Sequence, residues 1–110
     1  MNISTISVNS VTVVRFEGNI DTGTSTEAQE SLEKLIDEGA LKIVVNFSEV
    51  GFVSSAGLRI LLVITKKLKN TGGNLRVCGL NETVKEIFEI TGFDSIFNLF
   101  EGESEALEDF

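Results

Sequence analysis

Alternating apolar and polar residues at the start of the chain predict a β-hairpin. Residues Ile3 to Val8 alternate strictly, as expected of a strand with one exposed face. Val11 to Phe16 predicts a second strand, and Asn9-Ser10 between the two runs suits a tight turn. We therefore expect two antiparallel strands here, followed by a loop over Gly18 to Gly23.

Three helices are predicted in the middle of the chain. In the first, Thr24 to Glu38, apolar residues fall on one face, and Gly39 ends the helix. The second, Ser55 to Asn70, has a wider apolar stripe that includes Val63, which indicates burial on more than one side. The third spans Asn81 to Thr91, with Asn81 as a plausible cap.

The remaining apolar runs predict strands between these helices. Lys42 to Phe47 contains three consecutive β-branched residues, which is typical of a strand covered on both faces. Asn74 to Cys78 predicts a short strand, and Ile96 to Phe100 a final one. The acidic segment Glu101 to Phe110 is compatible with a short helix or with fraying.

The order of these elements indicates an α/β fold. Strands that alternate with helices form a mainly parallel sheet with right-handed crossovers, and the opening hairpin adds an antiparallel pair. We expect a mixed, mostly parallel sheet of four to five strands packed by about four helices, with residues 1–110 forming a single domain.

Charge and composition narrow the classes of partner. The net charge of −8 disfavours binding to nucleic acid or to an anionic membrane surface, so a basic protein surface is the better partner. The most apolar stretch, Ile60 to Thr65, is bounded by Arg59 and Lys66, far short of the roughly 20 residues of a membrane-spanning helix. Neither membrane insertion nor a signal peptide is expected.

The rare residue types argue against metal and cofactor chemistry. The chain has no histidine and one cysteine, which leaves no internal disulfide and makes a zinc site very unfavourable. Cys78 lies at the end of a predicted buried strand and is better explained as a core residue than as a nucleophile. We expect no cofactor and no metal, and the lone cysteine fits a cytoplasmic protein.

The segment from Val50 to Arg59 has the most informative chemistry. It leads from a predicted buried strand into a long helix, where free backbone N–H groups and the helix dipole would stabilise a phosphate. Ser54 or Ser55 can act as an ordinary N-cap, and the same hydroxyl can also serve as a switch. Small residues at Ala56 and Gly57 would let another protein approach closely.

These residues resemble the signature of the STAS domain family, specifically of bacterial anti-sigma factor antagonists. The similarity is carried by Phe52 to Leu58, by the Gly-x-x-Asp loop Gly18 to Asp21, and by Asn74 to Gly79 with the helix that ends at Thr91 to Phe93. It covers nearly the whole chain. It implies a non-enzymatic switch protein that binds an anti-sigma factor when unphosphorylated and so releases a sigma factor.

The resemblance also implies roles for individual residues. The phosphoacceptor would be Ser55, modified by an anti-sigma factor that is itself a serine kinase and restored by a serine phosphatase. Ser54 stands where the family usually has Asp, and Ala56 where it usually has Ser or Thr, so Ser54 is a second candidate acceptor. The implied partner-binding residues are Asp21, Ser54, Ser55, Ala56, Gly57 and Arg59.

Other interpretations remain open from the sequence. The chain can be a STAS-type interaction module without a phosphorylation switch, in a stressosome-like scaffold or as a lipid-transport accessory subunit. A small enzyme or nucleotide-binding protein is disfavoured, because no histidine, P-loop or paired-carboxylate motif is present. Asp21 by itself is a common turn former. The oligomeric state, monomer or weak dimer, is left open.

Overall fold

Five strands lie in one mixed sheet in the computed structural model, which describes residues 1–110. The strands follow the chain order β1-β2-β3-β4-β5; β1 and β2 are antiparallel, and the other neighbours are parallel. Four helices and one 3-10 turn, Phe93–Ser95, complete the fold. The elements are β1 (Asn2–Val8), β2 (Val11–Glu17), α1 (Ser25–Asp37), β3 (Lys42–Glu49), α2 (Ser55–Asn70), β4 (Asn74–Cys78), α3 (Glu82–Thr91), β5 (Asn98–Phe100) and α4 (Glu103–Leu107).

The opening hairpin turns at the two residues predicted from the sequence. Asn9 and Ser10 have φ angles of 48° and 70°, and Val8 pairs with Val11 across the turn. Positive φ at both central residues gives a turn whose twist matches that of the flanking strands. The predicted hairpin is therefore confirmed, together with the mixed α/β fold.

Both faces of the sheet are covered, but by unequal layers. Strand β3 shows this, because Ile43, Val45 and Phe47 join the larger core while Val44 joins a smaller one. The larger core contains buried residues of α1, α2 and α3. The smaller core contains Ala106 of α4 and lies on the opposite face of the sheet. The predicted burial of this strand on both faces is confirmed.

Element boundaries agree with the predicted ones to within about two residues. Thr24 and Glu38 cap α1 and do not belong to it, and Asn81 caps α3 through its side chain. The acidic final segment, for which helix and fraying were both open, forms the short helix α4.

One expectation about α2 is wrong. Val63 was expected to widen the buried stripe, yet 39% of its surface is exposed, whereas Ile60 and Ile64 are buried. The sheet and α1 leave one side of α2 open, and Val63 lies on that side. No helix of the chain is both long enough and apolar enough to cross a membrane.

Candidate functional site

Two loops meet at the carboxyl ends of the parallel strands β2 and β3. The loop after β2 pairs with the segment before α2 through a two-residue bridge between Ile20 and Val53. The Ile20 amide donates to the Phe52 carbonyl at 3.0 Å, and the Ser54 amide donates to the Ile20 carbonyl at 2.8 Å. The predicted Gly18 to Asp21 loop and the predicted serine segment are therefore held side by side.

Ser54 is the N-cap of α2. Its backbone is extended, and its hydroxyl accepts a hydrogen bond from the Gly57 amide at 3.3 Å. Its carbonyl accepts the first helical hydrogen bond, from the Leu58 amide at 3.0 Å. Of the two serines considered as caps, Ser54 fills this role, and its half-buried hydroxyl is already engaged.

Ser55 is the first residue of α2 and is exposed to solvent. The capping hydrogen bond of this turn uses the Ser54 hydroxyl, and no side-chain hydrogen bond within the chain involves Ser55. The amides of Ser55 and Ala56 have no acceptor within the helix, as at any helix start. No acidic side chain lies in the first turn, so no carboxylate of the helix itself offsets the positive end of its dipole.

Exposed side chains continue from Ser55 along one side of α2. Arg59 and Val63 follow at four-residue spacing, which places them on the same side of the helix, and both are exposed. Arg59 belongs to none of the ion pairs of the structure. Phe52, just before the helix, is 44% exposed. We call Phe52, Ser55, Arg59 and Val63 the α2 surface.

Asp21 shapes the neighbouring loop. Its carboxylate accepts hydrogen bonds from the amides of Gly23, at 2.9 Å, and of Thr24, at 3.1 Å. The Thr24 hydroxyl donates to the Asn19 carbonyl at 2.7 Å, which closes the loop. Asp21 is thus a turn former, as its residue type alone allowed. It is half-buried and follows Ile20, whose carbonyl binds the Ser54 amide.

Gly57 is small for an internal reason. It is buried, and a Cβ atom there would lie 2.8 Å from side-chain atoms of both Ile20 and Val53 and 2.9 Å from the Ile20 carbonyl oxygen. The missing side chain lets α2 begin directly against the bridge between the two loops. The expectation that Gly57 keeps the outer surface small is therefore corrected, whereas Ala56 is half-buried beside Ser55.

Asn81 supports the site in a way that its sequence position did not reveal. Its side-chain oxygen caps α3 by accepting from the Val84 amide at 2.8 Å, as the sequence predicted. Its side-chain nitrogen also donates to the Val50 carbonyl at 3.1 Å, in the loop that leads to Ser54. This second contact joins residues 31 positions apart. No local sequence pattern indicates this hydrogen bond, because it depends on how the two loops are placed in the folded chain.

The lone thiol lies on the face of the sheet opposite α2 and does not belong to the site around Ser55. Cys78 is fully buried, and burial raises the pKa of its thiol to about 11, with the Glu103 carboxylate adding to the shift. A thiol with so high a pKa is a poor nucleophile at neutral pH. A concavity of about 590 Å³ is lined by β1, the hairpin turn, the end of α1 and the segment that leads into β3, where the parallel strands begin and not where they end.

Comparison with known proteins identifies the family. A family model described as "STAS domain" matches residues 2–106. The chain belongs to the STAS domain family. This confirms the resemblance carried by the segments around Asp21, Ser55 and β4.

Relatives of this STAS domain are anti-sigma factor antagonists. The anti-sigma-B factor antagonist of Staphylococcus epidermidis is 30% identical over 102 residues, which cover 93% of this chain and 94% of the relative. The crystal structure of an anti-sigma factor antagonist from Mycobacterium paratuberculosis matches with a TM-score of 0.88 at 25% identity, covering 96% of this chain and 90% of that one. By their names, these relatives are regulators and not enzymes.

The same fold occurs in a protein that has been solved in two modification states. The unphosphorylated form of the anti-sigma factor antagonist SpoIIAA matches with a TM-score of 0.80 at 21% identity, covering 94% of this chain and 90% of that one. The phosphorylated form of SpoIIAA from Bacillus matches with a TM-score of 0.72 at 20% identity, covering 94% of each chain. At this identity the likeness concerns the fold.

Proposed function

We propose that this STAS domain is an anti-sigma factor antagonist controlled by phosphorylation of Ser55. In its unphosphorylated form it binds an anti-sigma factor that is also a serine kinase, and a sigma factor is thereby released. The observation that carries this proposal is the exposed Ser55 hydroxyl at the start of α2, which is free of hydrogen bonds within the chain. The anti-sigma factor antagonists among its relatives give the class of partner.

Ser55 is a better phosphoacceptor than Ser54. A kinase must reach the hydroxyl and remove its proton, and the Ser55 hydroxyl is exposed and unengaged. The Ser54 hydroxyl is half-buried and accepts the capping hydrogen bond from Gly57. Modifying Ser54 would disturb the cap, which contributes about 1 kcal/mol in typical helices.

The partner would dock on the α2 surface and on the loop beside it. Phe52 supplies an exposed apolar side chain three residues before Ser55, and Arg59 supplies a cation one turn further along the helix. Ala56 follows Ser55 directly, and Asp21 follows Ile20, whose carbonyl accepts from the Ser54 amide, so both are included in the proposed interface. Gly57 and Ser54 support this surface indirectly, because they fix where α2 begins.

Phosphorylation would weaken binding of the partner without changing the fold. A phosphoserine carries a charge of about −1.5 to −2 at neutral pH, and the positive end of a helix dipole stabilises it in place. To dock, the partner would have to remove water from that charge. The added charge would also make an already acidic chain more negative. A penalty of about 3–4 kcal/mol weakens binding by some hundreds-fold.

Mass spectrometry after incubation with a serine kinase of the anti-sigma type, ATP and Mg²⁺ tests the acceptor. We expect one phosphate on the wild-type chain and on Ser54→Ala, and none on Ser55→Ala. Modification that persists in Ser55→Ala and disappears in Ser54→Ala would reassign the acceptor. A kinase that binds the chain but phosphorylates neither serine would favour an interaction module without a switch.

Calorimetric titration of the same kinase tests the charge mechanism. Ser55→Ala should bind like the unmodified chain, whereas Ser55→Glu should bind at least about tenfold more weakly because it places a negative charge in the interface. The loss should be smaller than that caused by phosphorylation, since a single carboxylate carries less charge than a phosphate. A serine phosphatase should restore binding to the phosphorylated chain. Full affinity in Ser55→Glu, together with full affinity of the phosphorylated chain, would refute the mechanism.

A further inference from the structure

The second face of the sheet is covered by the C-terminal residues Gly102 to Phe110, which include α4. Ala106 is the buried residue of this helix. It packs with four buried residues of the strands, which form an apolar strip across the sheet. These residues are Val11, Val13, Val44 and Cys78. The coverage is thin, because the larger core and the three longer helices all lie on the other face.

A cation and an amide hold the start of α4. Two nitrogens of Arg15 donate to the Glu103 carboxylate at 2.7 and 2.8 Å, in a bidentate arrangement. The Asn46 side-chain nitrogen donates to the same carboxylate. Glu103 is thus recognised by neighbouring strands, β2 and β3, at one end of the strip.

A second cation holds the end of the segment. Arg76 of β4 donates to the carbonyl oxygens of Ala106, at 3.0 Å, and Glu108, at 2.8 Å. Its guanidinium group lies 4.3 Å from the centre of the Phe110 ring and 5.1 Å from that of Phe100. Charge, backbone and aromatic contacts therefore converge on one arginine.

The segment depends on these contacts for its order. An isolated helix needs about 12–15 residues to be even marginally stable in water, and α4 has five. Its N-cap residue is Gly102, which has no side chain that could cap the helix. Docking therefore supplies the order of α4, and the segment is the element of this fold best suited to detach.

We propose that the second face of the sheet is a docking surface for an acidic amphipathic segment of a partner protein, and that Gly102 to Phe110 occupy it in competition. The resident segment displays the chemistry that fits: a carboxylate for Arg15 and Asn46, a small apolar residue three positions later, and an aromatic residue seven positions later. In a chain of net charge −8, two arginines flank this strip. That arrangement is complementary to an acidic partner.

This surface is separate from the one proposed for the kinase. α2 packs on the larger core, on the other face of the sheet, so a partner on the second face does not cover Ser55. Binding at the second face can therefore be measured without a kinase or phosphorylation, and its failure would leave the role of Ser55 untouched.

The test uses a synthetic peptide with the sequence of residues 101–110 and the full-length chain. In the variant Ala106→Asp, a charge would face the apolar strip, so the resident segment should be released. We expect the peptide to bind this variant in a ¹⁵N NMR titration, with shifts centred on Val44 and Cys78. Binding to the wild-type chain should be at least about tenfold weaker, because a tethered segment competes at a high effective concentration.

Cys78 reports release independently, since it is the only thiol and is covered in the docked state. Its alkylation rate should rise at least about tenfold in Ala106→Asp. Glu103→Lys, which sets a cation against Arg15, is a second releasing variant, and circular dichroism identifies any variant that is unfolded. If each of the two variants either unfolds or keeps Cys78 protected, the segment is an integral part of the fold and the proposal is wrong.

Specificity is checked with matched changes on both sides. Adding Arg15→Glu to Ala106→Asp should abolish peptide binding, as should a peptide with Asp in place of its alanine. If a releasing variant exposes Cys78 and yet binds no peptide, the surface accepts only its tethered segment and the proposal is overturned. Equal affinity of the peptide for the wild-type chain and the released variants would also overturn it.

Discussion

Adjacent small residues at the start of α2 have separate functions. Ser54 caps the helix, Ser55 presents a free hydroxyl, and Gly57 allows the close approach of Ile20. The exposed residue is the one that can serve a partner, while its neighbours maintain the geometry in which it is exposed. A substitution at each position should therefore affect a different measurable property.

Gly57→Ala should destabilise the fold. The added Cβ would meet the Ile20 carbonyl oxygen at 2.9 Å, and backbone cannot swing aside as a side-chain end can. Overpacking of this kind costs about 1–3 kcal/mol, which exceeds the roughly 1 kcal/mol gained from the better helix propensity of alanine. Urea unfolding measures the difference.

Gly51→Ala is the matched control for this substitution. Its nearest contact would be the Asn19 side-chain oxygen at 3.2 Å, at the end of a side chain that can move. We expect its free energy of unfolding to change by no more than about 0.5 kcal/mol. Equal losses in the two variants would show that the close approach at Gly57 is not what requires glycine.

The helices of the fold differ in how their ends are secured. Both α2 and α3 begin with a polar side chain that caps the helix, and Asn81 in addition ties α3 to the loop before α2. The cap of α2 is the residue directly before the helix, Ser54. The position of α2 relative to the loop after β2 is defined by the bridge between Ile20 and Val53.

Ser54→Ala should lower the stability of the chain more than Ser55→Ala does. Loss of the hydroxyl that accepts the Gly57 amide removes an N-cap, which typically costs about 1 kcal/mol. Ser55 makes no such bond, and alanine is the better helix former, so Ser55→Ala should stay within about 0.5 kcal/mol of the wild type. Urea unfolding of both variants checks this, and the reverse order would assign the cap to Ser55.

Contacts between residues far apart in the chain close the second face of the sheet. Glu103 binds Arg15, 88 positions away, and Asn46, 57 positions away. The hydrogen bond from Arg15 lowers the pKa of the Glu103 carboxyl, and Asn46 adds to this, while partial burial opposes it. The same contact raises the pKa of Arg15.

This coupling predicts a dependence of stability on pH. Because the pKa of Glu103 is lower in the folded state than in the unfolded one, its contribution is fully present above the unfolded value, about 4.3, and is lost as the pH falls through the folded value. Glu103→Gln should therefore be less stable than the wild type at pH 7, and the difference should shrink below about pH 4. Urea unfolding at both pH values measures it.

Glu108→Gln is the control, since the Glu108 side chain is exposed and makes no ion pair. It should differ little from the wild type at either pH. A difference between Glu103→Gln and the wild type that stays constant from pH 7 to pH 3 would mean that the ion pair with Arg15 contributes nothing through its charge.

Much of the candidate site was predictable because its signals are local. The serine segment, the loop at Asp21 and the cap at Asn81 were each evident from residue types in order along the chain. The sequence could not distinguish the cap from the free hydroxyl, because the phase of the first turn depends on where α2 meets Ile20 and Val53. It also misassigned Val63, since periodicity shows that a side is apolar and not whether a neighbour covers it.

By itself the sequence determined the elements, the opening hairpin and the class of fold, because these follow from periodicity and turn chemistry within a few residues. The tertiary structure alone decided which loops meet beside Ser55, why Gly57 must lack a side chain, and which face of the sheet receives the acidic C-terminal segment. The contacts responsible, such as those of Glu103 with Arg15 and Asn46, join residues whose separation along the chain is far longer than any local pattern. They exist only once the sheet has assembled.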